Sequence, residues 1–129
     1  MSEEQDPQEV LDRILENDGR YPRRAYLFVM EAVSYTVEKL TVRRHITGKE
    51  LSLGIRDFAI ERFGIAAKLV FEEWNITKTR HFGDIVFSLV NEGLLRKTEE
   101  DAIEDFDEVF DFATAFETEF QLDVESKQD

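Results

Sequence analysis

Apolar residues along this chain recur mostly every third or fourth position, the spacing that gathers them on one face of a helix. Val10, Leu11, Ile14 and Leu15 open the pattern behind Pro7, which suits the first turn of a helix, and Asn17-Asp18-Gly19 stops it. Pro22 starts a second helix that reaches about Leu40. Its stripe is Tyr26, Val29, Met30, Val33, Val37 and Leu40, and Leu27, Phe28 and Ala32 widen it. So broad an arc predicts burial on more than one side. Thr47-Gly48-Lys49-Glu50 fits a capping box, with Leu51, Ile55, Phe58 and Ala59 forming the face of a third helix that Gly64 ends. Residues 65–74 read as a fourth helix. Thr77 or Thr79 is placed to cap a fifth, whose stripe is Phe82, Ile85, Val86, Leu89 and Val90, with Gly93 as its stop.

The period then changes. Residues 94–97 read as a short strand, with Glu108-Val109-Phe110-Asp111-Phe112 as its partner and Phe110 and Phe112 on one face. Phe106, Val109, Phe110 and Ala113 also fit a helix, so the two readings compete there. Residues 98–107 are acidic and read as a loop or helical turn. Phe112, Phe116 and Phe120 stand four apart, which predicts a last short helix docked on its own domain. Residues 1–6 are expected to fray and residues 123–129 to be a disordered tail, leaving a single globular domain within 1–122. Helices at 48–63, 65–74 and 79–92 followed by a wing at 94–112 reproduce the winged-helix order. The expected fold is mainly α (α+β): a winged-helix-like helical core over 48–112 with a small β-hairpin, plus an N-terminal helical pair. Such a likeness is one of fold and carries no function.

A more specific likeness runs through most of residues 10–120. Phe28-Val29, His45-Ile46-Thr47-Gly48-x-Glu50-Leu51, Phe63-Gly64, Glu73-Trp74 and Phe82-Gly83-Asp84-Ile85-Val86-Phe87 occur in this order. Gly93-Leu94-Leu95 and Asp105-Phe106-x-x-Val109-Phe110-x-Phe112 follow. Together they resemble a small uncharacterised bacterial protein family of about this length, which has no assigned activity. The resemblance implies a bacterial cytoplasmic protein. It departs from the family at Asn75, where Gly would stand between Trp74 and Ile76; Asn tolerates positive φ, so the turn is expected to survive.

Charge changes the picture more than composition does. The formal net charge is −13 over 129 residues. Residues 1–97 hold 16 acidic and 15 basic residues, whereas residues 98–129 hold 13 acidic residues and one Lys. A near-balanced body therefore carries an acidic C-terminal quarter. Eleven Phe and 42% hydrophobic residues argue against a disordered chain, and the absence of Cys excludes disulfides and thiolate chemistry. The acidic N-terminus lacks the basic start of a secretory signal, and no apolar run approaches a membrane span, so a soluble cytoplasmic protein is expected.

Candidate chemistry is sparse. A basic face is conceivable from Arg20, Arg23, Arg24, Arg43, Arg44, Lys78, Arg80, Arg96 and Lys97. The expected recognition helix is close to neutral and the expected wing is acidic, which disfavours nucleic acid because phosphate neutralisation supplies much of that affinity. The acidic quarter would mask such a face if it folded across it. Carboxylates between Asp101 and Asp111 lack the EF-hand pattern, and His45 and His81 have no His partner at metal-ligand spacing, so no metal and no cofactor are expected. His81 and Asp84 are close enough in sequence to hydrogen-bond, and Ser34, Ser52 and Ser88 lack a nucleophile-elbow context, so no catalytic residue is assigned. The expected function is a non-catalytic protein–protein interaction module using Phe87, Glu99, Glu100, Asp101 and Glu104. A nucleic-acid-associated regulator is the alternative. A small-molecule enzyme is third, and a deep pocket at His45 or His81 is the feature that would favour it.

Overall fold

Local chemistry starts and stops each helix. The computed structural model describes residues 6–42, 44–96 and 101–118. Five α-helices lie among them: α1 (Pro7–Asn17), α2 (Arg23–Glu38), α3 (Gly48–Phe63), α4 (Ala67–Glu73) and α5 (Thr79–Asn91). A 3-10 turn, Gly64–Ala66, joins α3 to α4; another, Ile103–Phe106, and a π-helical segment, Ala113–Thr118, follow α5. Asp6 caps α1 by accepting from the Gln8 N–H at 3.0 Å. The capping box of α3 is complete: the Glu50 N–H donates to Thr47 Oγ1 at 3.0 Å, and the Thr47 N–H to Glu50 Oε1 at 2.9 Å.

The ends of α4 and α5 share one device. The Ile76 N–H reaches back to the Phe71 carbonyl and the Asn75 N–H to Glu72, with Asn75 at φ 67°. The Leu94 N–H likewise reaches Leu89 and the Gly93 N–H reaches Val90, with Gly93 at φ 86°. Both are Schellman caps, which need a positive φ at the residue that reverses the chain. Asn75 supplies the positive φ of the first reversal and Gly93 that of the second. The expected side-chain cap of α5 is replaced: Lys78 is the N-cap residue with no side-chain bond, and Thr79 is buried inside the helix.

Helix α2 packs against α3 and α5, and the core lies where these meet α4 and the C-terminal segment. Tyr26 and Val29 of α2, Ile55 of α3, Phe71 of α4, and Phe82 and Leu89 of α5 are almost wholly inaccessible. Close approach of α2 and α3 depends on Gly54, where a Cβ would overlap the Thr36 side chain. No helix among the described residues is long and apolar enough to cross a membrane.

The expected β-hairpin is not formed. No strand occurs among the described residues, so the α+β, winged-helix assignment is corrected to a mainly helical fold without a wing. Two physical causes are visible. The Leu94 and Leu95 amides, needed for a ladder, both bond the Leu89 carbonyl and finish α5 instead. On the other side, residues 101–112 run across α3 and α5 as a strap. Its backbone turns through the Ile103–Phe106 3-10 turn and through Glu108 at φ 48°, which is incompatible with a continuous strand. The final helix expected around Phe112 and Phe116 appears as the π-helical segment, and both side chains are buried in cis. Phe120, Lys97, Glu99, Glu100, Arg43 and residues 123–129 lie outside the described residues.

Candidate functional site

The strap is held by a few side chains that the helices prepare for it. Phe106 sits in a slot made by two glycines on different helices: a Cβ on Gly83 would lie 2.9 Å from its ring, and one on Gly48 would lie 3.0 Å from it and 2.8 Å from Asp105. Thr79 satisfies the adjacent backbone. Its hydroxyl donates to the Phe106 carbonyl at 2.5 Å and accepts from the Val109 N–H at 3.1 Å. One hydroxyl therefore takes the place of ladder partners that a hairpin would have supplied. Arg80 adds an ion pair, its NH1 lying 2.9 and 3.1 Å from the two oxygens of Asp107. Beyond it, Phe112 and Phe116 join Phe71 and Phe82 in an aromatic cluster with ring centroids 5.3–5.7 Å apart.

Pinning the apolar side chains inward turns the acidic ones outward. Glu104, Asp105, Asp107, Glu108 and Asp111 are exposed, whereas Phe106 among them and Phe112 just after them are buried. Asp105 and Asp111 also organise the strap by accepting from the Ala102 and Thr114 N–H groups. Glu104 and Glu108 make no side-chain hydrogen bond or close ion pair among the described residues, although the Glu104 charge is felt by Arg80.

Beneath the start of the strap lies a cavity of about 210 Å³. Val33 and Val37 of α2, Leu51 of α3 and Val86 and Val90 of α5 form its apolar floor, and Phe87 and Phe106 form a wall. Arg44, His45, Arg96 and Asp101 stand among its polar lining residues. The His45 Nε2 lies 2.9 and 3.0 Å from the two carboxylate oxygens of Asp101. Asp101 is thus part of this cavity, with a side chain only 19% exposed, and Phe87 lines the cavity while its ring stands T-shaped to that of Phe106, centroids 6.4 Å apart. Sequence spacing could not bring His45 to Asp101, because 56 residues separate them.

Several of the remaining candidate residues are already paired. Arg20 bonds Asp18 at 2.9 Å and Asp84 at 3.3 Å, Arg23 pairs with Asp12 and Gln8, and Arg44 pairs with Glu50 at 2.7 Å. Arg44 and the Thr47 backbone hold the Glu50 carboxyl down at about 2. Arg24 and Lys78 are exposed. Of the described members of the expected basic face, Arg80 alone pairs with the strap through its side chain. His81 and Asp84 turn to different partners. Asp84 accepts from the Tyr21 hydroxyl at 2.8 Å, and burial, helped by that carboxylate, pushes the Tyr21 phenol up, whereas His81 Nδ1 accepts from the Thr77 N–H at 3.0 Å. Among the described residues no group of three or more His, Asp or Glu side chains is placed to hold a metal. Comparison with protein-family models, with curated proteins and with solved structures finds no match to this chain.

Proposed function

We propose that the protein is a non-catalytic interaction module that presents the carboxylates of its strap to a basic partner protein. One observation carries this reading: Phe106, Phe112 and Phe116 pin the strap to the helices, so that Glu104 and Glu108 are offered from an ordered frame. Preorganisation of this kind lowers the ordering cost that a loose acidic tail would meet on binding. The family resemblance and the lack of Cys are consistent with work in the bacterial cytoplasm.

The catalytic reading gains the cavity at His45 and a carboxylate that orients its ring, an arrangement general bases use. Among the described residues it lacks a free nucleophile beside them. The Thr47 hydroxyl is occupied in the α3 cap, and the Ser52 hydroxyl is buried and bonds the Gly48 carbonyl at 2.9 Å. The nucleic-acid reading is favoured by the Arg80–Asp107 pair, since it is there that the strap neutralises a cation of the expected basic face.

The test is a photo-crosslinker at position 102, compared between the wild type and Glu104→Gln/Glu108→Gln. The expected result is a discrete protein adduct that weakens with salt and disappears in the variant at unchanged melting temperature. Equal adducts in both proteins would remove the acidic ridge from the mechanism. Salt-sensitive binding of bulk RNA by Asp107→Asn would instead support the masked basic face.

A further inference from the structure

We infer that the cavity under the strap is a binding site for a small carboxylate that carries an apolar group the size of one aromatic ring or one branched chain. The volume and lining set the apolar half of that ligand. An apolar cavity of roughly 150 Å³ holds a benzene ring, so about 210 Å³ accommodates a ring or a branched four- to five-carbon group with little room left. Val33, Val37, Leu51, Val86 and Val90 offer no hydrogen bond from their side chains, so only an apolar group is stabilised against this floor.

Charge at the lining sets the polar half. Arg44 is bound to Glu50, His45 to Asp101, and Asp105 accepts from the backbone of its own turn. Arg96 is different. It lines the same cavity, it is exposed, and it has no hydrogen-bond or ion-pair partner among the described residues. A guanidinium beside a desolvated apolar floor is matched by a carboxylate, which it binds through two parallel N–H···O bonds. Asp105 keeps one carboxylate oxygen without a partner, so the head group is either a simple carboxylate or the zwitterion of an apolar α-amino acid. The two share the carboxylate–Arg96 contact. The site is distinct from the Glu104 and Glu108 carboxylates, neither of which lines it, although Asp101 and Asp105 of the strap do.

Titration of the full chain with phenylacetate, 4-methylpentanoate, leucine and 3-methylbutylamine, followed by amide NMR, tests the inference. Saturable shifts are expected at Val33, Val90 and Arg96 with the carboxylates and not with the amine. Tighter binding of leucine than of 4-methylpentanoate would identify the zwitterion, and the reverse the simple acid. Arg96→Gln, a change at an exposed side chain, is expected to weaken binding by about tenfold or more, the loss of a charge-assisted bidentate pair. Arg96→Lys should recover part of that loss. Val90→Phe fills the floor and should abolish binding while leaving the amide dispersion of the remaining domain native. Absence of saturable shifts, equal binding of the amine, or unchanged affinity in Arg96→Gln would each overturn the assignment.

Discussion

His81 is held neutral by two effects that act together. Burial depresses its pKa from the ordinary 6.5, Lys78 and Arg20 add to the shift, and Asp84 opposes it. Its Nδ1 also accepts the Thr77 N–H, a bond that a protonated Nδ1 cannot make. Because the folded pKa is lowered, the unfolded chain takes up the proton first. The contribution to stability is complete above the ordinary imidazole value and is lost as pH falls below it. Thermal melts from about pH 7.5 to about pH 5.5 should show a steeper loss for the wild type than for His81→Gln; parallel curves would contradict this. The residue-scale chemistry that spacing could reveal was all short-range. Thr47 with Glu50 is legible because its partners lie three residues apart. Thr79 is not, because its hydroxyl meets a backbone 27 residues away.

At the scale of elements, the strap depends on what α3 and α5 omit as much as on its own side chains. Gly83→Ala would place a methyl group 2.9 Å from the Phe106 ring, backed by Ile103 at 3.0 Å. Overpacking of this kind costs ~1–3 kcal/mol, whereas the helix-propensity gain of Ala over Gly returns only about 1 kcal/mol. The net effect is expected to be destabilising. Hydrogen exchange should accelerate in residues 101–116 and stay slow in α2 and α3, and uniform acceleration would contradict a local slot. The five helices were legible from period, caps and stops. The hairpin reading failed because alternation near Phe110 and Phe112 describes side-chain placement and not the fate of the amides. Those of Leu94 and Leu95 close the α5 cap, while Thr79 and the strap's own turns take up strap backbone groups.

For the whole molecule, the described part of the acidic quarter, residues 101–118, is part of the core and not an appendage to it. Phe106, Phe112 and Phe116 are 3%, 6% and 1% exposed; Phe112 covers Phe71 and Phe82, Phe116 packs on Phe71, and Phe106 meets Phe87. Removing one buried Phe side chain costs roughly 3–5 kcal/mol, and the total stability of a domain is only about 5–15 kcal/mol. A chain ending at residue 100 should therefore show no cooperative melt and should bind a hydrophobic dye. Cooperative unfolding at the full-length temperature would mean that the strap is dispensable. By itself the sequence determined where helices begin and end, which faces are apolar, and that surplus carboxylates collect after residue 97. Those properties depend on neighbours within one or two turns. Tertiary structure alone decided that the acidic segment lies down as a strap, that Phe87 lines a cavity, and that His45 meets Asp101. Each of these contacts joins positions far apart in the chain, and their pairing follows from how α2, α3 and α5 pack, which no local period encodes.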